Sequence, residues 1–465
     1  MKNINRRQFI KSAGVSAAAT AAVAGPRISF AASDDFSKSI LVFIFLRGGI
    51  DGLSVVTPMD GHPDRVNYDQ LRVNGTNIPS SLLLPLSGNW GLHPAATGLH
   101  DLWNSGDLAI VQAVGLPFAN RSHFEAERYV ELGTPGNRFT IDGWLTRHLQ
   151  SATNLPNEIV LPAVVTESFV SFSLLNEPTA VTLGNPGVFD LETNGNSFEE
   201  EQEAALADIY ALDSTSLNVA GVEALNALEL VEQIDFSNYV PDNGAQYPTR
   251  PNDPSRITDF AGELQIIAQL IKEDSGVRIA QADRGGWDTH ANQDNLIPNS
   301  TLGGESFFDK LKDVSDSIKA FFTDMEVASP DGDNWSERIT MVVYSEFGRR
   351  AFDNDPDDDD DRSGTDHGYA NNMLVLGKDV NGGRLFGSWP GLGDGQLFQN
   401  ADVMATTDYR TVLSEILIKR LHNNKLFEIF PGYTEEEYTP LGVVNGSQLH
   451  PDFNNPDIIF KDGSE

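Results

Sequence analysis

The sequence predicts an α/β fold, a doubly wound and mostly parallel sheet lying between helices. Three observations predict it. Several runs of strand length are apolar throughout, without the alternation of a half-exposed strand, as expected of strands buried on both faces. Stretches of helical periodicity separate them, the pattern of α/β proteins. Polar turns recur where the apolar runs end, which is the edge at which open α/β sheets bind ligands.

Taken in chain order, Ile40–Leu46 (ILVFIFL) is the first such run, and it breaks into the glycine loop Arg47-Gly48-Gly49-Ile50-Asp51-Gly52. Residues 94–105 read as a helix, and residues 108–114 (LAIVQAV) as a second buried strand. Residues 122–132 form a helical pattern and residues 159–165 a strand. Residues 190–234 are rich in Glu, Ala and Leu at helical spacing, residues 235–255 are Pro/Asn/Asp-rich and loop-like, and residues 257–272 resume the helical pattern. A strand over residues 277–282 leads into Gly285-Gly286-Trp287-Asp288-Thr289-His290. A strong helix over residues 307–327 precedes the strand Ile339–Tyr344, which ends in Ser345-Glu346-Phe347-Gly348. A short strand at residues 373–376 and a late helix at residues 407–421 complete the pattern. No repeat of about 20–50 residues is visible. The organisation expected is a signal peptide over residues 1–31, then one α/β domain over residues 35–465 with a helical or irregular insertion at about 190–255.

Composition narrows the function. Of 465 residues, 40% are hydrophobic and 9% aromatic, enough for a packed core, which excludes general disorder. Thirty-two Lys+Arg against 67 Asp+Glu leave a net charge of −35, which excludes nucleic-acid binding through a basic surface. The absence of cysteine excludes disulfides, zinc–thiolate sites, iron–sulfur clusters and cysteine nucleophiles. No apolar run of about 18 residues follows the first 35, so no transmembrane segment is expected in the mature chain.

The front of the chain is an address. Arg6 and Arg7 precede Gln8, Phe9, Ile10 and Lys11, a weakly apolar run follows, and Ser29-Phe30-Ala31 forms a small-x-small cleavage site. This resembles the twin-arginine export signal. It implies the twin-arginine translocase as a partner during export, a mature start near Ala32, and a periplasmic or extracellular destination. The segment carries five cations and no acid, so its removal leaves a net charge of −40.

Polar residues collect at the ends of the apolar runs. Asp51 follows the first, and Ser122 with His123 lies just past the second. Asp288 and His290 follow the strand at residues 277–282, Glu346 follows Ile339–Tyr344, and Asp366-His367 precedes the strand at residues 373–376. Such a set of Asp, Glu and His without thiolate suits a divalent cation in a hydrolytic site, Zn²⁺ or Mn²⁺ first, with Mg²⁺ or Ca²⁺ as alternatives. Each piece also has a structural reading. Asp51 between glycines stabilises a turn, and Ser122-His123-Phe124-Glu125 fits a helix-capping box. The acidic run at residues 353–361 lacks the glycine and the final glutamate of an EF-hand and reads as a solvated loop with weak Ca²⁺ affinity.

Five phrases occur in order between residues 42 and 392: FLRGGIDGLSVVTP, HPAATGLHDLWNSGDLAIVQAVGLPFANRSHFEAE, GGWDTH, SEFGRR, and GTDHGYANNMLVLG with a following GGRLFGSWPGL. Together they resemble domain-of-unknown-function family 1501, which is often exported by the twin-arginine route and is similar to the alkaline phosphatase and sulfatase superfamily. The resemblance implies an alkaline phosphatase-like α/β sandwich with a metal-supported site acting on a phosphate or sulfate ester, of a small molecule or a glycan. It implies Asp51 as the first-strand ligand, Ser122 as nucleophile, Asp288 and His290 as a ligand pair, and His367 with Asp366 as the last ligands. Glu346 stands where the superfamily has Asp followed by His, and here Phe347 replaces that His. Either Asp366-His367 supplies the missing pair from a later loop, or a single metal binds. In this chemistry Arg121 or Arg349 forks the non-bridging oxygens and His123 protonates the leaving group. The rival expectation is a non-catalytic exported binding or assembly protein that keeps the fold.

Overall fold

The computed structural model describes residues 38–155, 159–186, 199–213, 215–298, 305–355 and 363–454. The signal segment and most of the acidic run at residues 353–361 lie outside the described residues.

Nine strands form the main sheet: β1 (Ile40–Leu46), β2 (Leu108–Gly115), β3 (Ala163–Val165), β4 (Ala180–Thr182), β5 (Ile279–Arg284), β6 (Ile339–Tyr344), β7 (Asn371–Leu376), β8 (Arg384–Phe386) and β9 (Thr407–Asp408). Their order across the sheet is β8-β2-β7-β6-β1-β5-β3-β4, with β9 also paired to β2. The helices of eight or more residues are α1 (Thr97–Ser105), α2 (His123–Leu132), α3 (Trp144–Ser151), α4 (Glu199–Tyr210), α5 (Ser216–Glu232), α6 (Asp259–Lys272), α7 (Phe307–Met325) and α8 (Tyr409–Lys419).

β1 is the centre. Every residue of it is buried, and its side chains alternate between two cores. Ile40, Val42, Ile44 and Leu46 join the core that contains residues of α1, α6 and α7. Leu41, Phe43 and Phe45 join the core that contains residues of α2, α3 and α8. An apolar strand without alternation therefore has helices on both faces, as the sequence predicts. α6 and α7 carry their own start signals, since Thr258 and Ser306 accept hydrogen bonds from the backbone of Ala261 and Asp309.

The sheet is mixed but mostly parallel. β1 pairs in parallel with β5 and β6, and β5 with β3. β7 alone is reversed, antiparallel to both β6 and β2. This reversal positions the site. The loops after β1, β2, β5 and β6 leave the sheet at one edge. A loop that enters a reversed strand arrives at that same edge, so Asp366 and His367, just ahead of β7, meet residues that follow the other strands.

Candidate metal centre

Each site residue sits in a loop beside a strand of the sheet or at the start of α2. Asp288 and His290 follow β5, Glu346 follows β6, His367 precedes β7, and His123 opens α2. The loops pack against one another closely enough to demand glycine. Gly48, at φ +116°, would put a Cβ 2.6 Å from the Asp288 backbone nitrogen, and Gly364 would put one 2.3 Å from the Thr289 carbonyl.

The donors converge on one oxygen. Asp288 Oδ1 lies 2.9 Å from His367 Nε2, 2.9 Å from His290 Nε2 and 3.4 Å from His123 Nε2. The His290 and His367 Nε2 atoms are 2.9 Å apart. Each ring is turned by a partner on its other nitrogen. Nδ1 of His123 meets Glu346 Oε1 at 2.6 Å, Nδ1 of His290 meets Asp366 Oδ1 at 2.8 Å, and Nδ1 of His367 meets the Arg121 carbonyl at 2.8 Å. Carboxylates and a carbonyl behind the rings, with Nε2 atoms in front, is the arrangement that orients histidines toward a metal. His123 Nε2 is buried and has no hydrogen-bond partner. A tetrahedral ion with bonds of about 2.0–2.1 Å separates its donors by about 3.3 Å, close to the spacing here. The residues present therefore fit a divalent cation.

Among the described residues two triads that could each hold an ion share His123: His123 with Asp288 and His367, and His123 with Glu127 and Glu346, the ligand atoms of each within 4.8 Å of one another. Glu127 escaped the sequence reading. Its signal is the four-residue spacing from His123, which puts both on one face of α2. Glu131 continues that stripe, and Arg47 binds both of its glutamates. The guanidinium donates to Glu127 and Glu131 at 3.0 Å each and to Asp283. Burial pushes Glu131 up to about 7, with Arg47 opposing.

The charges have clear causes. Partial burial works against the Asp288 carboxylate, yet hydrogen bonds from His367 and Arg349 and the charges of Arg349 and His290 hold its carboxyl well below the usual range. The hydrogen bond to Glu346 raises His123 above the ordinary imidazole value, against its burial. Asp366 is lowered: burial opposes this, and His290 and Arg350 outweigh it.

The structure places several of the expected residues outside the converging donors. Asp51 is not among the converging donors. It is fully buried, and Arg72 grips both its oxygens, at 2.6 and 3.0 Å, while Gln293 donates to one of them at 2.8 Å. Its carboxylate is neutralised by an arginine and anchors the glycine loop. Arg349 is not aimed at a substrate. It is buried, and it donates to the carbonyls of Gly49 at 2.6 Å, Thr365 at 2.7 Å and Trp287 at 3.0 Å, to that of Gly48, and to Asp288 at 2.7 Å. It staples the loops that carry the site. Ser122 does begin α2, but its hydroxyl makes no cap bond to that helix, so the capping box does not form. Arg121 is one-third exposed and pairs with Asp402 and with Gln399 at 3.1 Å. Glu346 and Asp366, expected as ligands, stand behind the rings of His123 and His290. His93 and His148 are buried elsewhere.

Residues 191–425 match the family model described as "Protein of unknown function (DUF1501)". Residues 3–23 match the twin-arginine translocation signal, so the chain carries an export signal, and no helix of the described residues is long and apolar enough to cross a membrane. No curated protein matches. Among solved structures, the lipoteichoic acid synthase LtaP of Listeria monocytogenes is similar at 11% identity with a TM-score of 0.28, over 67% of this chain and 56% of that one.

Proposed function

The chain belongs to the DUF1501 family of proteins of unknown function, and from the cluster it carries we propose that it is an exported, metal-dependent hydrolase of phosphate or sulfate esters with an alkaline phosphatase-like site. The observation that carries this reading is the convergence of three imidazole Nε2 atoms on Asp288, each ring turned from behind by a fixed acceptor. Asp288, His290, His367 and His123 would hold the cation, Zn²⁺ or Mn²⁺. When bound, it supplies a Lewis acid that neutralises charge developing on the ester oxygens.

The chain's own residues do the rest. Glu346, Asp366 and the Arg121 carbonyl keep the rings in place. Ser122 flanks the N-terminus of α2, where unpaired backbone N–H groups favour an anion, and its hydroxyl caps nothing. It is the nucleophile in this reading: its oxygen bonds to phosphorus or sulfur, the bond to the alcohol oxygen breaks, and the proton that the Ser122 hydroxyl gives up ends on the departing alcohol, so that His123, expected to protonate the leaving group, serves as a ligand instead. Water then releases the phosphate or sulfate and restores the hydroxyl. Arg121, next to Ser122 in sequence and one-third exposed, takes the role of oxyanion fork that Arg349, buried in its loops, does not serve, and does so by exchanging Asp402 for the ester.

The test is metal analysis of the full chain purified without chelator, followed by assays on aryl phosphate and aryl sulfate esters. At least one equivalent of zinc or manganese and metal-dependent turnover are expected. Ser122→Ala should lose turnover and keep the metal. A wild type that binds metal and turns over neither ester class would leave an exported binding protein as the better reading.

A further inference from the structure

The two donor groups share one ring. His123 turns Nε2 to Asp288 and Nδ1 to Glu346, with Glu127 beside the latter. By spacing alone each group accommodates an ion. A neutral imidazole, however, has one lone pair and one N–H. When Nε2 gives its lone pair to a cation, Nδ1 carries the hydrogen and donates it to Glu346 Oε1. His123 therefore serves one group at a time.

The carboxylates of the second group are engaged as well. Glu346 Oε1 also accepts from the Gly48 backbone at 2.9 Å, and its Oε2 lies 3.0 Å from Ser345 Oγ. Glu127 Oε2 accepts from Arg47 at 3.0 Å. Arg47 is the first residue after β1, and its main chain is fixed to the end of β5. Its N–H donates to the Arg284 carbonyl at 3.0 Å, and its carbonyl accepts from Trp287 at 3.3 Å. Its side chain lies over the Phe45 ring at 4.8 Å. From there the guanidinium reaches Glu127, Glu131 and Asp283 together. Glu131, Asp283 and Glu346 are buried, and buried carboxylates demand a positive charge. Burial opposes the charge on Arg47, and Glu131, Asp283 and Glu127 outweigh it. The charge that a second ion would bring is thus already present, on a group that is not deprotonated in proteins. Arg349 touches the first group too, through Asp288, but there His290 and His367 bring two further ring nitrogens. The second group has no neutral donor besides Nδ1 of His123.

We propose that the centre takes a single divalent cation, on the side of Asp288, His290 and His367, and that the guanidinium of Arg47 stands permanently as the second positive charge, closing the group of His123, Glu127 and Glu346 to metal. The proposal rests on the metal-centre reading above and gives it a stoichiometry. A guanidinium neutralises carboxylates but has no vacant coordination position, so it neither binds an ester oxygen nor activates water. One ion is left to do both.

Metal counting tests this. The full chain is stripped with chelator, dialysed against Mn²⁺ and analysed for bound metal, and one equivalent is expected. Glu127→Gln should leave the count and the affinity unchanged. Arg47→Met keeps the bulk and removes the charge. It should raise the count to two, because Glu127, Glu131, Asp283 and Glu346 then lack a counter-charge, and carboxylates suit Mn²⁺. Its thermal midpoint should fall below that of the wild type without metal and gain more from Mn²⁺ than the wild type gains, as a second ion bound to the folded state requires. A wild type that binds two equivalents would overturn the proposal, and loss of one of them in Glu127→Gln would assign that ion to the second group. A folded Arg47→Met that stays at one equivalent would also overturn it. If Arg47→Met does not fold, the counts for the wild type and Glu127→Gln decide alone. No bound metal in the wild type would overturn the proposal together with the metal centre. One equivalent without turnover of either ester class would sustain it and remove the hydrolase reading, so the two fail separately.

Discussion

Asp51 and Asp288 both follow strands of one sheet, yet their neighbours give them opposite work. Asp51 faces a buried guanidinium, and Asp288 faces three ring nitrogens. Asp51→Asn should therefore cost stability and spare the metal. Breaking one partner of a buried ion pair strands the other, at about 3–5 kcal/mol. Denaturant unfolding should register that loss, while zinc stoichiometry stays at the wild-type value. Zinc lost with stability unchanged would restore Asp51 as a ligand. The second residue-scale prediction concerns protons. A metal takes only neutral imidazole, so protonation competes with it. Glu346 raises the His123 pKa above 6.5, so the proton persists to higher pH than on a free imidazole. Zinc affinity should climb as pH rises through and beyond 6.5, and zinc binding at pH 7 should release protons. Calorimetry in buffers of different ionisation enthalpy reads that release, and an affinity flat above pH 6 would contradict the assignment of His123.

At the scale of elements, the loops decide how tightly the donors are held. Gly48 combines a left-handed φ with a close approach to Asp288, so Gly48→Ala adds backbone strain and a clash together. Stability should fall by about 1–3 kcal/mol, and zinc affinity should fall with it, measured by competition with a chromophoric chelator. An unchanged zinc affinity would mean that the β1 loop is not part of the support. What was legible at this scale follows from the physics. β1, β2 and β6 are readable because strands buried on both faces are apolar almost throughout, with Gln112 and Thr340 the polar exceptions. β4 and β8 have three residues each, too few for any periodicity, and pass unseen. Asp288, His290 and His367 are readable as polar residues at strand ends. The division between ligand and orienting partner is not, because it depends on which ring nitrogen turns inward. The engagement of Arg349 is equally invisible, since its partners are carbonyls of loops far away in sequence. The reversal of β7 also leaves no mark in a run as short as residues 373–376, although it brings His367 to the site.

At the scale of the whole molecule, the signal and the fold make one joint demand. The twin-arginine match predicts that Arg6→Lys with Arg7→Lys retains the protein in the cytoplasm, as cell fractionation would show. Export of the double variant at wild-type levels would contradict the signal. The order of strands adds a constraint in time. β1 sits at the centre of the sheet, but its partners are far along the chain: Leu41 pairs with Ile279 and Ile40 with Ile339. Closing such distant contacts is slow, and here it cannot begin until most of the chain has been synthesised. The export signal leaves the ribosome first, and the strands that complete the sheet leave it in the last third. A route that carries folded cargo therefore receives a ticket long before the passenger is ready. The interval between the two is a built-in waiting period, in which the newborn chain must be shielded from both the translocase and aggregation.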